Sequence, residues 1–353
     1  MDIYPDLTTL KNYRDTPFVS QSLLKRVLTN NTKEFKETIP LLLGSYLDCL
    51  LTSPSLIEEM FVDDLDKRPS DNIQKFFSSL LGMLTEIIDV SEIKELSEYR
   101  EEIIQIARQN GYQPKWSDDA LWNSIEKESY YWDFLIKSNG KSLVTKEEKN
   151  LCSLVCSYTL NHYLTGKYFI TQPDVDKFYQ KDLYWNVENI PCKGLLDLLI
   201  IEHSVKKIYI VDIKSTSVNS IQEWFRICRQ KNYPFQMSFY LEGVLQNYKE
   251  LLDSGYTIEC RWMVLPLNKD TFKPWIIPCT DKLLSVGKYG YKKSQEVLTL
   301  DGRETIENFY SGWVDALSQY KYCQEEQLVD YDSLYFKYGG KMDNASVNNY
   351  FFI

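Results

Sequence analysis

The chain has 353 residues, 44% of them hydrophobic and 25% charged, with a formal net charge of −10. At about 100–200 residues per domain this is one large domain or two ordinary ones, and the composition is that of a globular protein. The acidity argues against a passive nucleic-acid coat, which is usually basic overall, but leaves room for a local basic groove around carboxylates that hold metal ions. No apolar run approaches the ~18 residues needed to cross a bilayer, so no membrane partner is expected. Eight cysteines (Cys49, Cys152, Cys156, Cys192, Cys228, Cys260, Cys279, Cys323) show no C-x-x-C pair, and His162 and His203 are the only histidines. With no signal-peptide pattern at the start, they read as reduced thiols in a cytoplasmic protein.

Turn signals predict an arm up to about Pro17. Ser20 and Ser22 then precede an apolar-periodic run, so a short helix starts near one of them, and Asn30-Asn31 interrupt it. Residues 39–51 read as a helix with Pro40 in its first turn, stopped by Thr52-Ser53-Pro54. Asp48 is its one charge, and Gly44, a turn earlier, would let another backbone come close. The acidic run over 58–66 reads as solvated surface. Helical patterns follow over 72–88, 93–110, 118–138 and 146–164, with Gly111 and Gly140 as stops.

At about Tyr168 the texture changes to alternating β-branched and aromatic residues. Strands are expected over 182–188, 194–201 and 208–214, with a hairpin turn at 202–207. An amphipathic helix covers 220–231, and Pro234 opens another that runs to about 252. Further strands are expected at 258–265 and 275–277, and a helix over 304–319. The tail after Tyr331 has no assignment. The expected organisation is a helical region over 1–167 that contributes to the active site, an α/β core over 168–330 and a tail over 331–353, together one integrated domain.

Asp197 and Asp212 are carboxylates inside apolar strands, where a charge is costly unless paired, and a metal ion is an effective partner. Asp212 and Lys214 are two apart and share a strand face. Ile213 points to the other face, while its backbone carbonyl can still ligate metal. Such a group could polarise a phosphodiester and activate water. The same three residues also fit ordinary strand-edge charges, because D-x-K is short and matches by chance.

The surrounding residues add a resemblance. Gly194-Leu195-Leu196-Asp197, the apolar run before Asp212-Ile213-Lys214, and the later Gln236-x-x-x-Tyr240 are similar to the PD-(D/E)XK nuclease superfamily, in its RecB-like and RecE-like exonuclease branch. The segments around 19–24, 43–54 and 144–169 also resemble members of that branch. Leu196 stands where the family name expects proline, and Asp48 where the branch usually has histidine. The resemblance implies an α/β fold with a mixed central sheet flanked by helices and a largely helical N-terminal half. It implies Mg²⁺ or Mn²⁺ held by Asp197 and Asp212 with help from Asp48 and the Ile213 carbonyl. Lys214 would orient or activate water, and Gln236 and Tyr240 would support the site or contact DNA.

The activity so implied is an exonuclease acting on double-stranded DNA ends in phage-type recombination, in the host cytoplasm if phage-encoded. A single-strand annealing protein would be a partner, and homo-oligomers are known among relatives. Two alternatives stay open: a structure-specific or restriction-like endonuclease, or a non-catalytic DNA-binding accessory protein. Lys206, Lys207, Arg226, Arg229, Lys231, Lys288, Lys292 and Lys293 are candidate DNA contacts, the last three interleaved with Tyr289 and Tyr291. Glu188 and Glu202 read as surface carboxylates.

Overall fold

A computed structural model describes residues 1–29, 38–268, 272–299 and 302–326. The Asn30-Asn31 break and the tail after Tyr331 therefore lie outside the described residues. A short strand β1 (Asp2–Ile3) leads into α1 (Leu7–Asp15). The arm expected before Pro17 is thus mostly helix. Asp6 accepts from the Thr9 N–H at 2.6 Å as its cap, and Leu10 is its buried anchor. One buried residue in nine is too thin a stripe to register as periodicity. The serine-capped helix is α2 (Gln21–Thr29), and α3 (Ile39–Thr52) carries Pro40 in its first turn, both as the sequence indicates.

Residues 55–150 form one compact unit, and residues 1–54 with 151–353 form another. The first holds α4 (Ile57–Met60), β2 (Phe61–Asp63), α5 (Asp71–Thr85), α6 (Arg100–Gln109), α7 (Asp118–Glu126), α8 (Ser129–Ser138) and β3 (Ser142–Val144). Phe76, Phe77, Ile103, Leu121, Ile125 and Trp132 make its buried core. The 58–66 run is not simply solvated: Phe61 and Val62 are buried, and β2 pairs in parallel with β3. The helical pattern over 118–138 breaks after Glu126 into two helices, each of which buries its own apolar residues.

After α9 (Lys146–Asn161) the second unit continues with β4 (Val175–Val187), β5 (Ile190–Glu202), β6 (Lys207–Thr216), α10 (Ile221–Gln230), α11 (Tyr233–Asn247) and α12 (Lys249–Asp253). It ends in β7 (Thr257–Pro266), β8 (Trp275–Pro278), α13 (Asp281–Tyr289), β9 (Tyr291–Thr299), β10 (Gly302–Tyr310) and α14 (Trp313–Glu325). Six strands form one mixed sheet in the order β1-β4-β5-β6-β7-β8. β4, β5 and β6 pair antiparallel in turn, β6 pairs in parallel with β7, and β8 returns antiparallel. The fold is α/β, with the sheet's apolar residues and the helices sharing one core that includes Leu199, Ile210, Trp224, Phe239, Trp262 and Trp313.

α11 buries residues around most of its circumference, from Pro234 and Phe235 to Gly243 and Val244, as expected for a helix apolar all round. α13 packs against its start through Gly287, where an added Cβ would lie 2.0 Å from the Pro234 carbonyl oxygen. The helix expected over 304–319 begins only at Trp313. Residues 302–310 are a strand paired antiparallel with β9. Thr305, Ile306, Phe309 and Tyr310 favour that conformation, and Ser311-Gly312 separate it from the helix. All eight cysteines are free thiols; seven are buried and Cys156 is half-buried.

Candidate active site

The antiparallel ladder between β5 and β6 stops at Leu198↔Val211. One step further the two strands carry Asp197 and Asp212, facing each other on the same side of the sheet. The Ile213 N–H donates to Asp197 Oδ2 at 2.7 Å. A side chain thus takes a backbone donor at the place where the strands part.

Asp212 is 2% exposed, and Lys214, two residues on and on the same face, donates to its Oδ1 at 2.7 Å. Lys214 Nζ also lies 5.1 Å from the centre of the Tyr233 ring, at the start of α11. Burial disfavours the Lys214 charge, but Asp212 and Asp197 outweigh that and hold its pKa above the ordinary lysine value. Paired with Asp212, this lysine is placed as a donor.

The third carboxylate comes from α3. Its close approach to β6 depends on Gly44, where an added Cβ would meet Ser215 Oγ at 2.9 Å. The approaching group is therefore a side chain, where a backbone was expected. Asp48, one turn beyond Gly44, accepts from Gln180 Nε2 at 2.7 Å, and the same amide nitrogen lies 3.1 Å from Thr52 Oγ1.

Gln180 was not anticipated, and it is the most unusual backbone position in the site. It sits in β4 with φ of 45°, outside the ladder between the pairs Tyr179↔Leu198 and Lys181↔Leu196. A side chain other than glycine in that region costs on the order of 1–2 kcal/mol. The conformation places its amide on Asp48, across from Asp197.

Burial raises the Asp48 pKa to about 7, with Lys214 opposing and Asp212 adding to the rise. Asp197 is raised well above the ordinary carboxylate range, first by burial and then by Asp48 and Asp212. Three carboxylates crowd one lysine, and the protons that their raised pKa values hold there are what a divalent cation would displace.

Gln236 Nε2 donates to Tyr240 Oη at 3.1 Å, one helical turn along α11. The Tyr240 ring packs where a Cβ on Gly194 would meet it at 3.0 Å. Its phenol pKa is raised by burial, then by Tyr13, Asp197 and Asp212, so it is a neutral hydroxyl. A second lysine, Lys25 of α2, donates to the Lys231 carbonyl at 2.9 Å. Burial first, then Lys214, lowers its pKa to about 8. Gln180, Tyr233 and Lys25 carry no local pattern in the sequence, since each joins the site through long-range packing.

The basic candidates divide. Lys206 donates to the Ser254 carbonyl at 2.9 Å and Lys207 pairs with Glu259. Lys207 opens β6 five residues before Asp212, roughly 16 Å away along a strand, so neither belongs to the cluster. Arg226, Arg229 and Lys231 are exposed on or just after α10. Lys288 pairs with Glu242 at 2.8 Å, Lys292 is exposed, and the Lys293 side chain lies outside what is described. Glu188 is exposed and Glu202 partly so, both away from the cluster at strand ends.

Among the described residues, no group of three or more His, Cys, Asp or Glu side chains is placed to hold a metal ion together. A magnesium ion needs only one or two carboxylates, with water or phosphate in its other positions. Asp48 Oδ1 and Asp212 Oδ2 are sealed from solvent without a hydrogen-bond partner. Buried polar atoms normally find one. Two unpartnered hard oxygen donors among three crowded carboxylates fit a divalent cation.

No family profile and no curated protein match the sequence. Among solved structures, that of a candidate exonuclease from Eubacterium rectale is similar over 80% of each chain, at 14% identity and a TM-score of 0.39. A likeness at that level says nothing of this chain's activity.

Proposed function

We propose that this protein is a divalent-metal-dependent nuclease of the PD-(D/E)XK type that hydrolyses DNA. The observation that carries the reading is the gathering of Asp48, Asp197, Asp212 and Lys214 where β5 and β6 part, with two carboxylate oxygens sealed and unpartnered. The order of Asp48, Asp197, Asp212, Lys214, Gln236 and Tyr240 along the chain supports the same reading.

Asp212 and Asp197, with Asp48 and the Ile213 carbonyl, would hold Mg²⁺ or Mn²⁺. A bound ion of this kind polarises a phosphoryl oxygen and makes its water more acidic. The chain's own residues supply the rest. Lys214, paired with Asp212 and backed by the Tyr233 ring, donates to a phosphate oxygen or to the attacking water and offsets the charge that builds in the transition state. The Ile213 N–H fixes the Asp197 carboxylate, and Gln180 fixes Asp48. The Gln236–Tyr240 pair presents neutral donors from α11.

The substrate favoured by the resemblance is a double-stranded DNA end, degraded exonucleolytically in phage-type recombination. The processed strand would pass to a single-strand annealing protein, and a homo-oligomer would hold the duplex. The test is end-labelled linear DNA beside covalently closed circular DNA, with Mg²⁺ or Mn²⁺. The parent should shorten the linear DNA and spare the circle. Asp212→Asn and Lys214→Ala should each slow cleavage by about 10²–10⁴-fold, the range for a group acting directly on the reacting atoms. A parent that leaves linear DNA intact with both metals sinks the reading. Cleavage of the circle would make it an endonuclease.

A further inference from the structure

We infer that the cleft between α10, α13 and the foot of the β9–β10 hairpin binds unpaired bases of a single DNA strand. The identity of the ligand rests on the nuclease reading; the site itself rests on separate residues. The cleft has a volume of about 770 Å³, within the roughly 300–1,000 Å³ typical of ligand sites. Its aromatic wall is Tyr291 and Tyr310, an antiparallel cross-strand pair whose rings stack at 4.5 Å with 5° between their planes. Tyr310 remains 46% exposed, and Phe225 on α10 is 39% exposed. Leu283 of α13 adds an apolar surface.

Charge selects among flat apolar ligands. The whole chain carries −10, yet among the described residues no Asp or Glu lines this cleft, and the charged residue in its lining is Arg229. Among the described residues that guanidinium is exposed and has no ion-pair partner. Gln230 and Asn232, also in the lining, offer amide donors and acceptors of the kind that pair with base edges. Aromatic faces with a cation and neutral amides suit stacked bases on a phosphate backbone. An intact duplex hides those base faces, so the ligand is an unpaired strand.

The cleft is also next to the catalytic cluster. The α10–α11 turn separates the two. Asn232 and Pro234 belong to the cleft lining, while the ring of Tyr233, between them in sequence, lies under Lys214 Nζ at 5.1 Å. A strand with its scissile phosphate at Lys214 would reach the cleft within a short step along the chain.

The test is fluorescence anisotropy with a dye-labelled single-stranded oligothymidylate and a closed duplex hairpin. It uses the full chain bearing Asp212→Asn, with chelator present so that nothing is cut. Phe225→Ala and Tyr310→Ala should each weaken single-strand binding by about tenfold or more, the usual effect of removing a stacking ring. Tyr310→Phe keeps the ring and should restore the affinity, which separates lost stacking from a damaged hairpin. Arg229→Gln should lower the salt dependence of single-strand binding by about one counterion. The closed hairpin should respond to none of the aromatic changes by more than about twofold. Unchanged single-strand affinity, or an equal loss for both DNAs, overturns the inference. Because binding is read without cleavage, a parent inactive on linear DNA would defeat the nuclease reading while the cleft is still judged by the anisotropy.

Discussion

Gln180 couples backbone strain to the arrangement of the carboxylates. Its left-handed conformation costs free energy, and what that secures is an amide held on Asp48 from a residue far away in sequence. Gln180→Ala keeps the strained backbone and removes the bond, leaving a carboxylate oxygen without its donor. The expected loss is about 1–3 kcal/mol in urea unfolding, together with weaker Mg²⁺ binding by calorimetry. A variant as stable as the parent, with the same metal affinity, would show that the amide does not position Asp48. The pH dependence follows from the direction of the Asp48 shift. Its folded pKa, about 7, lies above the ordinary 3.8, so the folded chain holds that proton more tightly than the unfolded one. The contribution to stability is complete below about 3.8 and is lost as pH rises through about 7. In chelator the melting temperature should fall between about pH 5 and pH 8, and Mg²⁺ should raise it more at the upper pH. A melting temperature that climbs over this window in chelator would refute that assignment. At this scale the sequence shows Asp212 and Lys214 openly, because a period of two puts both on one strand face. Asp48 enters only through resemblance. Gln180 cannot be read, since neither its φ nor its distant partner leaves a local trace.

At the level of elements, alternation and length make the central strands and α10 and α11 legible, and the structure extends those strands without moving them. What escapes are the two- and three-residue strands β1, β2 and β3, together with α1, α13 and the β9–β10 hairpin. The two helices bury little, Leu10 in one and Gly287 in the other, and much of their placement comes from packing against larger elements. Gly287 tests that dependence directly. In Gly287→Ala the new methyl meets backbone, the Pro234 carbonyl, and not the yielding end of a side chain. Forced repacking of this kind costs typically about 1–3 kcal/mol, visible as a lower denaturant midpoint. An unchanged midpoint would mean that α13 does not rest on α11.

Over the whole molecule, length alone allowed one domain or two, and contacts resolve the chain into two compact units. The smaller is continuous in sequence over residues 55–150 and has its own aromatic core. A segment with those properties is expected to fold alone. Expressed by itself it should melt cooperatively with a native near-ultraviolet signal from Trp122 and Trp132, whereas a featureless melt would show that its core depends on the rest of the chain. Net charge acts at this scale too. On the proposed reading, an acidic protein meets a polyanion through a few local cations, so the salt dependence of DNA binding should be shallow, about one counterion for each phosphate contacted.

The distribution of sulfur has a practical consequence. Every cysteine lies in residues 1–54 or 151–353, and residues 55–150 have none. Seven of the eight are shielded, so a maleimide reacts with them as the unit around the carboxylate cluster opens, and is blind to the other unit. Tryptophans occur in both units, with Trp116, Trp122 and Trp132 in the smaller. Thiol labelling reports the larger unit alone and fluorescence reports both, so comparing the two through a denaturant titration separates their openings. Added Mg²⁺ should delay the labelling curve, and with it only the part of the fluorescence change that comes from the larger unit.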